Sequence, residues 1–276
     1  MIISRITGGL GNQMFQYAVG KAIAIKYNDI LKMDITTYDK NNIHNGYRLN
    51  IFNINEQIAS KKEIKSLKRW NILNKLKLYT RNKVYDEKER TIYDEDIFNY
   101  KNIYLKEYWQ NEKYFLSIKD ILLKEFSLKM DMYETIQNQY KYIRDTNSIS
   151  IHVKRGDYAK HPEIGILDID YYKGAVTYIR SKIENPIFYI FSNDINWCKS
   201  NFNFIKDKIF IENTKNEIDD LFLMKNCHHN IIANSSFSWW AAWLNENKQK
   251  IIISPKKWMV KNPNNYKWTP NSWIEI

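Results

Sequence analysis

The residues best suited to chemistry cluster in a few short stretches. The richest is His152-Val153-Lys154-Arg155-Gly156-Asp157-Tyr158. Adjacent lysine and arginine beside a glycine turn suit a pyrophosphate: the guanidinium grips two oxygens at once and the ammonium adds a point charge. Asp157 can orient the arginine or take a proton. The same residues also fit an ordinary Arg–Asp pair at a surface turn. A second stretch, Asn234-Ser235-Ser236-Phe237-Ser238-Trp239-Trp240, places hydroxyls at the start of an apolar helix, where free N–H groups and the helix dipole attract anions. Helix capping accounts for one serine, not three. Trp239, Trp240 and Trp243 divide between core and ligand cleft. A third, Ser192-Asn193-Asp194, can cap a helix or read the polar edge of a base or ribose.

The fourth stretch is Gly8-Gly9-Leu10-Gly11-Asn12-Gln13 near the start of the chain. Glycines let backbone approach an anion. The dinucleotide form G-x-G-x-x-G needs a third small residue, and Met14 stands there instead, although Asp34 falls where a ribose-binding acid belongs. Asn12 and Gln13 offer two amides at a helix start, fitting either a ligand or capping by Asn12. Metal chemistry finds little support. His228 and His229 are adjacent, and Asp168-Ile169-Asp170 directly precedes an amphipathic helix, where Asp170 serves as N-cap.

The elements that must position these groups follow from the hydrophobic pattern. Strands are expected at 2–6, 31–35 and 102–109, with helices at 12–27, 111–126 and 131–144. From residue 148 the rhythm is regular. Strands at 148–153, 186–192, 208–212, 229–233 and 250–254 alternate with helices at 169–183, 193–202, 215–227 and 236–247. Such alternation implies parallel sheets covered on both faces. Two α/β domains follow, 1–146 and 147–276. Each chemical stretch then lies just past a strand, where open α/β sheets bind ligands.

Composition bounds the function. The chain has 276 residues, 44% of them hydrophobic and 15% aromatic, enough for a packed core. Cys198 and Cys227 have no metal-type spacing, and the N-terminal segment has no long apolar run, so a reduced, cytoplasmic protein is expected. The formal net charge is +11, and residues 61–83 carry nine basic residues against one acid, a local +8. That run fits a solvated face, nucleic acid, or the headgroups of an anionic membrane. Its apolar residues Ile64, Leu67, Trp70, Leu73 and Leu76 recur every three positions and wander around a helix by about 60° per step, which points to short surface helices. No recognised nucleic-acid-binding motif accompanies the charge, and no nucleic-acid partner is expected.

Taken in order, GGLGNQMFQYA, KEYWQNEKYF, HVKRGDY, FSND and NSSFSWWAAWL resemble the α-1,2-fucosyltransferases of glycosyltransferase family 11. The resemblance runs from residue 8 to about 244. It implies a GT-B-like architecture, two Rossmann-like domains facing across a cleft, with the N-terminal domain on the acceptor side and the C-terminal domain holding the sugar nucleotide. It implies GDP-β-L-fucose as donor, inversion to an α-L-fucoside on the 2-hydroxyl of a terminal galactoside, and no required metal or other cofactor. The family's His-x-Arg-Arg-x-Asp signature lands on His152, Lys154, Arg155 and Asp157, with Lys154 in place of the first arginine. Donor contacts are then expected from Gly9, Asn12, His152, Lys154, Arg155, Asn193, Asp194, Ser235, Ser236, Phe237 and Ser238. Acceptor contacts are expected from Gln13 and Trp240. Arg155 would stabilise the leaving group, and Asp157, or failing it Glu163, would take the acceptor's proton. Such enzymes decorate bacterial surface polysaccharides such as O-antigen, so a galactose-terminated oligosaccharide on a lipid carrier is the expected acceptor. The basic segment 61–83 would then suit peripheral contact with the inner membrane. An NAD-dependent enzyme, or a GT-B-like transferase using another sugar nucleotide, are the alternatives.

Overall fold

The computed structural model describes residues 1–39, 45–75, 84–87, 91–129, 133–156, 158, 163–260 and 268–276. The chain divides into two compact units, Met1–Met130 and Asp131–Ile276.

The first unit is built on a four-stranded parallel sheet of β1 (Ile2–Arg5), β2 (Leu31–Asp34), β3 (Val84–Asp86) and β4 (Tyr104–Lys106), in the order β2-β1-β4-β3. Helix α1 (Leu10–Lys26) follows β1 and is buried over most of its circumference; Met14, Phe15, Tyr17, Ala18 and Val19 are all nearly inaccessible. Helix α2 (Lys61–Lys75) lays Ile64 and Leu67 against Ile3 and Tyr104 of the sheet. That packing consumes the first part of the apolar stripe and turns Lys61, Lys62 and Lys65 outward, while Lys68 lies over the Tyr104 ring and reaches Asp34 at 3.5 Å. Residues 76–83 of the basic run lie outside the described residues. Where one helix is expected over 111–126, the chain makes two single 3-10 turns, Glu112–Tyr114 and Leu116–Ile118, and only then α3 (Lys119–Glu125). Phe115, with φ −137° and ψ 8°, breaks the helical path so that Tyr114 and Phe115 can both reach the core. Strand β3 was hidden by its length of three residues.

The second unit holds six parallel strands, β5 (Asn147–Val153), β6 (Pro186–Ser192), β7 (Lys208–Phe210), β8 (His229–Ile231), β9 (Ile252–Ser254) and β10 (Ile274–Glu275), in the order β10-β9-β8-β5-β6-β7. Counted within the unit, this is the Rossmann order 3-2-1-4-5-6, and the order reverses between β5 and β8. Strand β5 is buried on both faces: Ile149, Ile151 and Val153 lie in a core shared with Phe188 and Ile190 of β6 and Ile231 of β8, while Ser148, Ser150 and His152 alternate with them on the other face. Helix α5 (Ile169–Arg180) presents Tyr172, Ala175, Val176 and Ile179 to that core, the i, i+3, i+4, i+7 spacing of an amphipathic helix. Helices α6 (Ile195–Asn201), α7 (Glu217–Asn226) and α8 (Ser236–Trp243) complete the winding.

Helix α4 (Glu134–Asp145) shows why the units part at 130 rather than at the expected 146. Its Tyr140 ring packs 5.5 Å from Phe222 of α7, and Tyr133, just before it, donates to Asp219 at 2.7 Å. The helix therefore travels with the second sheet.

Candidate active site

In the second unit, the strand order reverses between β5 and β8, which leaves an opening at their carboxyl ends flanked by two loops that leave in opposite directions. The chemical stretches of the sequence fall there. Past β5 the chain turns through Gly156, whose φ is +49°. A Cβ there would sit 2.5 Å from Asn193 Nδ2, so only glycine fits. Asn193 in turn accepts the Arg155 backbone N–H at 2.9 Å. The loop after β6 thus shapes the loop after β5.

The Arg155 side chain is 22% exposed and strongly oriented. Its guanidinium carbon lies 3.7 Å from the Trp197 ring centroid, and its Nε is 3.6 Å from Asp194 Oδ2. Asp194 also caps α6 by accepting from the Trp197 backbone N–H. Lys154 sits 5.3 Å over the Tyr158 ring, and Tyr158 donates to the Asn234 carbonyl at 3.1 Å, tying the β5 turn to the segment after β8.

His152 is 7% exposed, and its ring lies 5.7 Å from that of Phe237 in the first turn of α8. Burial, with a smaller contribution from Lys154, pushes its pKa down to about 3. The imidazole is therefore neutral at pH 7. Ser236 and Phe237 are half-buried at the start of α8, where the first N–H groups of a helix have no intrahelical partner. Ser235 occupies the N-cap but its side chain makes no capping bond, and it is 5% exposed.

Two residues of this stretch are committed to the interior. Ser238 is fully buried and its hydroxyl donates to Ala233 and Ser235 carbonyls. Trp240 is fully buried between Trp239 and Trp243 at ring separations of 5.1 Å each. Ser238 as a donor ligand and Trp240 as an acceptor ligand are therefore corrected to core residues, since neither presents a surface. Trp239 and Trp243 are equally buried. Asn193 and Asp194, expected on the nucleoside, are engaged in holding the Arg155 turn. Asp157 lies outside the described residues. Glu163 is exposed, and its backbone carbonyl accepts from Val260.

The first unit has its own reversal, between β1 and β4. Past β1, Gly8 adopts φ +77°, and a Cβ on it would approach Asn12 Nδ2 to 2.8 Å. Gly9 is the N-cap of α1, without a side-chain bond, and Asn12 lies in the first turn rather than capping it. Asn12 Oδ1 accepts from Gln110 Nε2 at 2.8 Å. Gln110 follows β4, in a segment with two left-handed residues, Glu107 at φ +86° and Trp109 at φ +58°. Gln16 donates to the Glu107 carbonyl, and the Glu87 carboxylate accepts the N–H groups of Tyr108 and Trp109, which keeps this unusual backbone in place. Gln13 is another correction. It is fully buried; its Nε2 donates to the Gly8 and Gly46 carbonyls and its Oε1 accepts from Arg48 N–H. All its polar capacity toward one side of the amide is used inside the unit, so it shapes the glycine loop and does not face an acceptor.

Other readings lose ground here. Asp34, the would-be ribose ligand of a dinucleotide fold, is 1% exposed and accepts from Thr36 and Tyr104. Burial raises its pKa, but those bonds and Lys68 outweigh it, and the net value lies below the ordinary 3.8. The cap of α5 is Asp168, two residues earlier than expected, while Asp170 pairs with Lys173. Among the described residues, no three His, Cys, Asp or Glu side chains gather as a metal site.

Trp197 and Gln110 are the two residues here that no sequence motif singles out. Trp197 had a readable cue, since it lies three residues beyond an N-cap aspartate and thus in the first turn beside the strand end. Gln110 had none until the pairing of β1 with β4 brought it to Asn12.

Two parallel Rossmann-like sheets in one chain, with basic residues and a helix start at the reversal of the second, define a GT-B-like glycosyltransferase. The description Glycosyl transferase family 11 matches residues 1–274, and the chain belongs to that family. It is 36% identical to an Escherichia coli alpha-1,2-colitosyltransferase, over 100% of this chain and 99% of that protein. It is 32% identical to the E. coli O-antigen biosynthesis glycosyltransferase WbnK, over 99% of each. A bovine galactoside alpha-(1,2)-fucosyltransferase 2 is 30% identical over 45% of this chain and 39% of its own length. Among solved structures, the fucosyltransferase NodZ from Bradyrhizobium superposes with a TM-score of 0.53 at 11% identity, over 87% of this chain and 91% of that one. A mutant Arabidopsis thaliana FUT1 in complex with GDP gives 0.53 at 10% identity, over 91% and 69%. These likenesses support the fold.

Proposed function

We propose that the chain transfers L-fucose, with inversion, from GDP-β-L-fucose to the 2-hydroxyl of a terminal galactoside in a bacterial surface glycan. The observation that carries this reading is the oriented Arg155 at the β5–β8 reversal, with Lys154 beside it and the start of α8 on the neighbouring loop. A leaving nucleoside diphosphate needs such groups fixed where its charge grows. The α-1,2 linkage in the names of the colitosyl and fucosyl relatives supports the regiochemistry.

In one displacement the acceptor oxygen bonds to the anomeric carbon as the bond to the β-phosphate oxygen breaks. Electron density moves onto GDP, where Arg155, Lys154 and the N–H groups opening α8 meet it. The acceptor's proton passes to a carboxylate, for which Asp157 is proposed and Glu163 is the alternative. No metal enters this scheme. The acceptor is proposed to sit on a lipid carrier at the inner face of the membrane, with the outward lysines of α2 nearest the anionic surface.

The colitosyl relative favours a second donor on one specific ground, its 36% identity over the whole chain. Colitose is L-fucose without the 3-hydroxyl, so the same diphosphate site would serve GDP-colitose. The test offers purified protein each GDP-sugar with β-galactosides and measures GDP release, with and without EDTA. Release with GDP-fucose that persists in EDTA is expected. Release with GDP-colitose alone moves the donor to the second reading, and no release with any β-galactoside overturns the proposal.

A further inference from the structure

We infer that Trp197 and Asp194 are positioning residues that hold Arg155 ready to receive a diphosphate in its two Nη groups. The inference rests on the donor-site reading above. Arg155 is flexible by nature, and an unheld side chain of this length loses much of its rotamer freedom when it grips a ligand. Here contacts within the protein hold the guanidinium plane. The Trp197 ring lies 3.7 Å from its central carbon, a close cation–π contact. Asp194 Oδ2 stands 3.6 Å from Nε, which is buried, a distance that gives charge attraction without a hydrogen bond. Among the described residues, neither Nη group donates to a protein acceptor. The planar fork therefore has one face and one edge taken, and the edge that matches two phosphate oxygens carries no bond to the described residues.

One short element supplies both restraints. Asp194 Oδ1 caps α6 by accepting the Trp197 N–H at 3.2 Å, and its other oxygen faces the arginine. The cap thus fixes the tryptophan that fixes the guanidinium. Cys198, the next residue, is buried in the core and anchors the turn. Asn193, one residue earlier, holds the Arg155 backbone. A stretch of five residues, Asn193 to Trp197, thereby sets both the main chain and the side chain of Arg155.

GDP itself is the probe, with affinity measured by titration calorimetry and folding by thermal melting. Arg155→Ala is expected to weaken GDP binding by roughly a hundredfold, the scale of a lost charged hydrogen-bond pair. Trp197→Leu is expected to weaken it about tenfold, and Trp197→Phe to restore it to within about threefold, because a smaller ring still offers a π face. Asp194→Asn keeps a competent N-cap and removes only the charge. It is expected to weaken GDP about fivefold at an unchanged melting temperature. Wild-type GDP affinity in both Trp197→Leu and Asp194→Asn overturns the inference, as does Trp197→Phe binding as poorly as Trp197→Leu. Should Trp197→Leu fail to fold, Asp194→Asn alone decides. Unaltered GDP affinity in Arg155→Ala overturns the donor-site reading instead, which separates the two failures.

Discussion

Gln110 donates its Nε2 hydrogen to Asn12 Oδ1 at 2.8 Å, a bond between residues 98 positions apart that joins the ends of β4 and β1. The bond fixes which way the Asn12 amide points, and among the described residues its Nδ2 has no acceptor. We expect Gln110→Ala and Asn12→Ala each to lower kcat/KM by about tenfold. The double variant should be little worse than either single one, since both break the same unit. A double-mutant cycle on the purified variants checks this, and independent, multiplying effects would show that the bond has no part in activity.

Gly8 lies under the same amide. Alanine there meets two penalties, a left-handed φ of +77° and a Cβ 2.8 Å from Asn12 Nδ2. Gly8→Ala should cost about 1–3 kcal/mol of stability and displace Asn12. Urea unfolding together with activity per folded molecule separates the two consequences. Activity should fall further than the folded fraction does.

The serines opening α8 divide by burial. Ser238 bonds to two carbonyls at zero exposure, whereas Ser236 is half-exposed in the first turn. Ser238→Ala should lower the melting temperature by a few degrees, from a loss of about 1 kcal/mol, and leave the donor KM near wild type. Ser236→Ala should do the reverse, raising the donor KM several-fold with no change in melting. Melting scans and donor saturation curves on the two variants are sufficient. Equal effects on both quantities would mean that the hydroxyls are not partitioned in this way.

The regular second half was legible because β6 reads as a continuous apolar run, β5 alternates Ile149, Ile151 and Val153 with Ser148, Ser150 and His152, and α5 keeps a clear helical stripe. The positions of the basic turn and the serine stretch followed from strand ends alone. What the sequence hid was the direction in which polar side chains are used. Gln13 and Asn12 are neighbours of similar chemistry, yet a one-residue step around α1 sends Gln13 into three internal bonds and Asn12 toward Gln110. Trp240 looked like a cleft residue because tryptophan is common in sugar sites, but three tryptophans in five positions pack on one another. The Arg155 restraint depends on two loops meeting, which local spacing does not encode. The same holds for 111–126, where helical periodicity lost to the burial of Tyr114 and Phe115.

His152 gives the molecule a specific pH signature. Its pKa falls from 6.5 when unfolded to about 3 in the folded state, through burial first and Lys154 second. Between those values the unfolded chain binds a proton that the folded chain refuses. Unfolding is therefore favoured as pH drops, and the stability His152 contributes is complete above about 6.5 and lost progressively toward 3. His229, lowered to about 4 by burial and by His228, acts in the same direction over much of the same window. Asp34, depressed below 3.8, contributes its own loss only at lower pH. His152→Phe keeps a ring beside Phe237 and removes the titration. Its stability, measured by urea unfolding at pH 7.5, 6, 5 and 4, should fall less steeply than that of wild type, with the gap in slope approaching about 1.4 kcal/mol per pH unit. His229 and the carboxylates are common to both proteins and cancel in the difference. Parallel stability curves for the two proteins would mean that His152 titrates normally in the folded protein, and that its burial beside Phe237 is not maintained in solution.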